Sequence, residues 1–158
     1  AAARCCEELG YEPHILTASL CCEAREAGSF LSSIAQYHQD CDHSLAFIAG
    51  GETVVHLTGK GLGGRNQELA LAGAVGIAGL PATALFSVGS DGTDGPTDAA
   101  GGYVDNTTFE TLKEAGTDVF EVLRQNDSYH ALERCGGLIR TGATGTNVND
   151  VAVLLLRR

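Results

Sequence analysis

No run of apolar residues in this chain approaches the ~20 needed to cross a bilayer, and its first residues carry no apolar core of a secretion signal. A soluble chain is expected. Cations are also scarce, ten Lys and Arg against twenty Asp and Glu for a net charge of −10. That balance leaves no basic face for nucleic acid or for an anionic membrane, and both partner classes are excluded. Cys-x-x-Cys and Cys/His ligand spacings are missing too. The six cysteines fall as the adjacent pairs Cys5-Cys6 and Cys21-Cys22, with Cys41 and Cys135 single. A structural zinc site has no support in that pattern, and free thiols in a reducing compartment are expected. Methionine is absent altogether, and the first residue stands inside a helical pattern. Both features read as a piece of a longer protein.

What is present suits one hydrophobic core: 158 residues, 44% hydrophobic and 19% charged. Ala1–Leu9 reads as a helix closed by Gly10, His14–Leu20 as a strand, and Glu23–Tyr37 as an amphipathic helix with Ala24, Ala27, Leu31, Ile34 and Ala35 at helical spacing. Ser44–Ala49 and Thr53–Thr58 read as strands of a hairpin turning at Gly50-Gly51-Glu52. A helix over Arg65–Ala78 and a strand over Thr83–Gly89 follow, then a short extended Gly102–Val104. Thr107-x-x-Glu110 has the form of a capping box opening a helix to Ala115. Asp118–Arg124 and Ser128–Cys135 are short helices, and Val151–Leu156 a closing strand. The pattern predicts an α/β fold: a mixed, mainly parallel sheet with helices on both faces and one antiparallel hairpin.

The chemistry concentrates in three polar loops, each beside a predicted core strand. Gly59-Lys60-Gly61-Leu62-Gly63-Gly64 opens into a helix, so its backbone N–H groups and the helix N-terminus face an anion. It is no Walker P-loop, because Lys60 precedes most of the glycines and Gly-Lys-Ser/Thr does not occur. Ser90–Gly101 carries Asp91, Asp94 and Asp98 at the carboxyl end of a predicted strand, where open α/β sheets bind ligands. Clustered carboxylates repel one another unless a cation or a set of donors neutralises them. Asp, Gly and Pro also make ordinary solvated turns, and composition leaves both readings open. Arg140–Asp150 adds hydroxyl and amide groups at Thr144, Thr146 and Asn147. Converging on one sheet edge, the loops bring together Lys60, Arg65 and Arg140 with Asp91, Asp94, Asp98 and Asp150. That inventory fits phosphoryl chemistry, in which charge is neutralised and groups are positioned. A Ser-His-Asp hydrolase fits worse, since Ser90 has no nucleophile elbow and the histidines lie outside the loops.

Three stretches together resemble one family: Gly59-Lys-Gly-x-Gly-Gly-Arg-Asn-Gln-Glu68, Gly89-Ser-Asp-Gly-Thr-Asp-Gly-Pro-Thr-Asp-Ala-Ala-Gly101 and Thr141-Gly-x-Thr-Gly-Thr-Asn-Val-Asn-Asp150. They look like the C-terminal MOFRL region of the class II glycerate kinases, in the family's order, with Ala143 where the family usually has proline. The resemblance implies that residues 1–158 are the C-terminal domain of a larger two-domain enzyme. Its reaction would be transfer of the γ-phosphoryl group of ATP, with Mg²⁺, to a hydroxyl of D-glycerate, usually giving 2-phosphoglycerate. The active site would lie in the cleft against a missing N-terminal Rossmann-like domain that supplies an essential lysine.

Carried over residue by residue, the resemblance implies catalytic roles for Arg65, Asp91 and Asp94, with Asp91 and Asp94 as candidates for binding magnesium or for orienting the glycerate hydroxyl. It implies substrate or phosphate contacts from Lys60, Gly63, Gly64, Asn66, Thr144, Gly145, Thr146 and Asn147, with Glu68 a loop support or a simple cap. The expected setting is intracellular, cytoplasmic or mitochondrial. Candidate partners are D-glycerate, the missing domain of the same chain and a second copy of the chain. The fragment alone is expected to be inactive. Two other readings remain: a non-catalytic module that stabilises a partner domain or a dimer, and a binding domain without turnover. A hydroxypyruvate reductase ranks below all of these, because no G-x-G-x-x-G occurs in a βαβ setting.

Overall fold

The computed structural model describes Ala1–Arg158 throughout. Along the chain run α1 (Ala2–Glu8), β1 (Glu12–Leu20), α2 (Ala24–Tyr37), β2 (Leu45–Gly51), α3 (Arg65–Ile77), β3 (Thr83–Gly89), β4 (Gly101–Asp105), α4 (Thr108–Glu114), α5 (Val119–Arg124), α6 (Ser128–Arg134), β5 (Leu138–Ile139) and β6 (Asp150–Leu156). The strands form one sheet in the order β1-β2-β6-β3-β4-β5. The α/β class stands, but the sheet is not mainly parallel. Only β1 and β2 pair in parallel; every other neighbouring pair is antiparallel.

The reason lies in the last strand. β1, β2 and β3 are joined by helices and run in one direction, as helical crossovers require. β6 then inserts between β2 and β3 and runs against both, from Gly51↔Asp150 and Gly89↔Asp150 at one end to Leu45↔Leu156 and Thr83↔Leu156 at the other. The same arrangement removes the expected hairpin. With β1 on one edge of β2 and β6 on the other, Thr53–Thr58 has no free edge to pair with. That segment leaves the sheet after Gly51, whose φ of +148° and close approach to the Leu20 backbone admit no side chain. It keeps one isolated bridge, between Val54 and Glu23.

Strand alternation divides the core. Leu45 and Phe47 of β2, Leu85 of β3 and Ala152, Leu154 and Leu156 of β6 face α2 to α6, while Ala46, Ile48 and Val153 face the other way, against Cys6 of α1. Helices therefore sit on both faces, very unequally. α3 is buried along nearly its whole length and, beyond its polar first turn Arg65–Glu68, apolar around its circumference, as a central helix must be. The capping box at Thr107 does not form. Thr107 has helical φ and ψ, and the Asp105 carboxylate accepts the N–H groups of Thr107 and Thr108 instead.

Where α2 crosses α3, a Cβ on Gly28 would collide with the Leu69 carbonyl and the Gly73 amide of α3. Gly28→Ala is expected to destabilise by about 1–3 kcal/mol through overpacking, lowering Tm by roughly 3–10 °C. At an exposed helix position the same change would stabilise by roughly 0.5–1 kcal/mol. Thermal unfolding gives the sign, and an unchanged or raised Tm would contradict so close a crossing.

Candidate functional site

The strand ends at Gly51, Gly89 and Asp150 meet at one edge of the sheet, and the α3 N-terminus stands over them. All three polar loops converge there. Asp94 reaches from the aspartate loop under the first turn of α3. Its Oδ1 accepts from Asn66 N at 3.1 Å and Asn66 Nδ2 at 3.3 Å, and its Oδ2 accepts from Gln67 N at 2.9 Å. Gly64 leaves the room, since a Cβ there would strike the Asp94 carboxylate. Asp94 is only 3% exposed, and burial pushes its carboxyl above the usual range while the Asn66 and Gln67 N–H groups pull the other way. The structure thus engages Asp94 within the protein, beside the magnesium-binding or hydroxyl-orienting role expected of it. Its oxygens already cap a helix, where an anion is favoured by free N–H groups and by the helix dipole. Asn66 is likewise internal, its amide oxygen accepting from Ser87 Oγ at 2.6 Å.

Arg65 is the first residue of α3. Its Nε and Nη2 donate to the two oxygens of Asp150 at 2.5 and 3.1 Å, a bidentate pair. Its Nη1 lies 3.0 Å from Glu52 Oε1. The Asp150 hydrogen bond, foremost among several contributions, strengthens the guanidinium's hold on its proton. Arg65 faces a cleft of about 840 Å³ that is also lined by Glu52, Gly63, Gly64, Glu68 and Asn126.

The glycine-rich loop was expected to offer its amides to an anion, and half of them are already taken. Thr58 N and Gly59 N donate to Asn126 Oδ1 at 2.7 and 2.9 Å, Gly61 N to the Gln125 carbonyl at 2.8 Å, and Leu62 N to Asp127 Oδ1 at 2.9 Å. The amides of Gly63 and Gly64 donate to no protein acceptor, and both residues border the cleft. Asn126, at φ +56° in the turn between α5 and α6, also donates to Glu68 Oε2 at 3.1 Å. Glu68 is buried, which raises its carboxyl pKa. Its Oε1 lies 3.3 Å from Arg25 Nη2 without hydrogen-bond geometry.

A second cluster forms from the aspartate loop and the last loop. Thr144 N donates to the Asp91 carbonyl at 3.1 Å, Thr144 Oγ1 donates to the Ser90 carbonyl, and Asn147 Nδ2 donates to Asp91 Oδ2 at 3.4 Å. Asp91 Oδ1 accepts from Thr93 N at 3.0 Å, and that backbone bond holds the carboxyl below its usual range. Gly145 and Thr146 are exposed at the loop's tip, and Lys60 is exposed on its own loop. Asp98 and Arg140 are tied to each other: Arg140 Nε donates to Asp98 Oδ2 at 2.9 Å, and Tyr129 donates to Asp98 Oδ1 at 2.8 Å. No three His, Cys, Asp or Glu side chains are grouped as a protein-only metal site needs.

Glu52 and Asn126 escaped the reading of the sequence. Asn126 left a signal: a turn former with tolerance for positive φ stands between Gln125 and Asp127 at the junction of two short helices. Glu52 left none, having been assigned to a hairpin turn.

Six helices around one six-stranded sheet, with three polar loops meeting at one end of its strands, define a domain of the α/β class. The chain belongs to the MOFRL family, whose model matches residues 45–150. It is 53% identical over 154 residues to the D-glycerate 2-kinase of Thermotoga maritima and 45% identical over 161 residues to the glycerate 2-kinase of Pyrococcus horikoshii. These alignments cover 95% and 99% of this chain but only 37% and 36% of the two relatives. The crystal structure of glycerate kinase from Thermotoga maritima superposes with a TM-score of 0.94 at 52% identity, over 98% of this chain and 38% of that one.

The two aspartates are expected to respond differently to amidation. Asp94→Asn would set an NH₂ group against N–H donors in a buried site, costing about 1–3 kcal/mol. Asp91→Asn keeps the acceptor for Thr93 at a partly exposed site and should stay within about 0.5 kcal/mol. Denaturant unfolding of the two variants checks this, and equal stabilities would refute the capping role of Asp94.

Proposed function

We propose that this chain forms one wall of the active site of an ATP-dependent glycerate kinase, with the remainder of the enzyme supplying the other wall. The observation that carries the reading is Arg65, clamped through one edge by Asp150 so that its Nη1 side faces the cleft beside the unused amides of Gly63 and Gly64. A fixed guanidinium with adjacent backbone donors suits the carboxylate of D-glycerate or a phosphate oxygen. Lys60, exposed on the same glycine loop, adds a mobile positive charge for phosphate.

In this reaction the glycerate hydroxyl displaces ADP from the γ-phosphorus, and the protein's part is to position both groups and neutralise charge. Mg²⁺ takes one or two carboxylates alongside phosphate oxygens. Asp91 fits that demand, because its Oδ2 accepts only one long bond, whereas Asp94 is fully engaged by α3. Bound Mg²⁺ would supply charge neutralisation between the phosphates. Thr144 and Asn147 hold the Asp91 segment, which leaves Gly145 and Thr146 at the loop's tip to contact substrate or phosphate. Asn66 and Asp94 act beneath the site by fixing the start of α3.

Lysine cannot reproduce the bidentate bond to Asp150, so Arg65→Lys releases the clamp even though it keeps the charge. In the full-length enzyme that variant should lose at least about tenfold in kcat/KM, equivalent to about 1.4 kcal/mol of transition-state stabilisation. Steady-state kinetics decide it, and wild-type values would make Arg65 structural. Residues 1–158 alone should show no ATP-dependent phosphorylation of glycerate, because one wall of a cleft neither completes the charge set nor excludes water. Turnover by this piece would end the half-site reading and leave a self-contained enzyme.

A further inference from the structure

The two carboxylates that hold Arg65 are not equivalent. Asp150 has a side chain 9% exposed, opens a strand paired on both sides, and takes two guanidinium nitrogens. Glu52 has a side chain 58% exposed, and its only polar contact is Arg65 Nη1 at 3.0 Å. Its backbone is anchored through Glu52 N to the Leu20 carbonyl at 2.8 Å, so the side chain can swing while the chain stays in place. Both Glu52 and Arg65 line the cleft, with Gly63 and Gly64 beside them.

We propose that Glu52 is a stand-in for an anionic ligand: its carboxylate sits on Arg65 Nη1, where such a ligand would bind, and is displaced by an incoming carboxylate or phosphate. The inference rests on Arg65 being the anion anchor. The buried bidentate partner keeps the guanidinium aimed, and the exposed single partner keeps its outer face neutralised until a competing anion arrives. Affinity for the ligand is then lowered by the fraction of molecules in which Glu52 holds the site. A neutral ligand gains nothing at Nη1 and leaves Glu52 in place, so the exchange selects for anions.

The direction of the effect separates this role from a positioning one. If Glu52 competes, Glu52→Gln in the full-length enzyme should lower KM for the anionic substrate bound at Arg65 about two- to fivefold, the range of an exposed ion pair, with kcat little changed. If Glu52 merely aims Arg65, the same variant should raise KM or lower kcat. The experiment measures kcat and KM for D-glycerate and for ATP in the wild type, Glu52→Gln and Arg65→Lys. A fall in one KM with Glu52→Gln, alongside impaired Arg65→Lys, supports the exchange. Unchanged or raised KM for both substrates with Glu52→Gln, while Arg65→Lys is impaired, overturns the exchange and leaves the anchor intact. Wild-type kinetics in Arg65→Lys overturns both.

Discussion

The geometry of the cleft depends on the cap that Asp94 places on α3. A carboxylate buried to this degree loses several kcal/mol of hydration, about what its hydrogen bonds must return. Its donors are the first amides of α3 and the Asn66 side chain, and they point at it only when the helix has formed. Helix and aspartate loop therefore order together. The direction of Arg65, one residue before Asn66, follows from that cap, and through Arg65 the first residue of β6 joins the same network. Gly63 and Gly64 belong to it as well. A Cβ at Gly64 would meet the Asp94 carboxylate and one at Gly63 would meet Ser128 Oγ. These glycines serve close packing within the protein before they serve any ligand.

Charge around the cleft is unbalanced. Arg65 lies within the fields of Asp150, Glu52 and Asp94, and the buried Glu68 lines the same wall. With Arg25 set against Glu68, Arg65 is left as one guanidinium amid three other carboxylates, a poor receptor for a triphosphate and a reasonable one for a single anionic group. On the kinase reading, most of the positive charge that ATP demands must come from the facing wall, from Mg²⁺ and from the mobile Lys60. The net charge of −10 fits such a division, in which this domain gives rigidity and one aimed cation.

Nearly every element could be read from the sequence, because α2 carries a clear 3.6-residue apolar period, α3 is a long run of helix formers after a glycine loop, and β2, β3 and β6 are short apolar runs. What could not be read was which strands are neighbours. Periodicity reports burial, and β6 is buried on both sides whether it lies at the centre or elsewhere. The same ignorance produced the false hairpin at Gly50-Gly51, since nothing local shows that both edges of β2 are occupied. Among the candidate site residues, Arg65, Asp91 and Asp94 were legible by their glycine-rich surroundings. That Asp94 caps a helix 28 residues away in sequence was hidden, because a remote cap has no sequence period. Asn126 was hidden for the same reason, its partners at Thr58 and Glu68 lying 68 and 58 residues off.

The central position of β6 bears on how the domain is made. Leu45 pairs with Leu156, so the middle of the sheet closes only when residues 150–156 are available. Until they emerge from the ribosome, β2 and β3 each present an open edge with no partner between them, and α3 packs on a sheet split in two. Contacts this distant in sequence slow folding, and unpaired edges invite pairing with other chains. Insertion of residues 150–156 thus acts as a release step: the domain is exposed to mispairing until β6 docks and protected from it immediately afterwards.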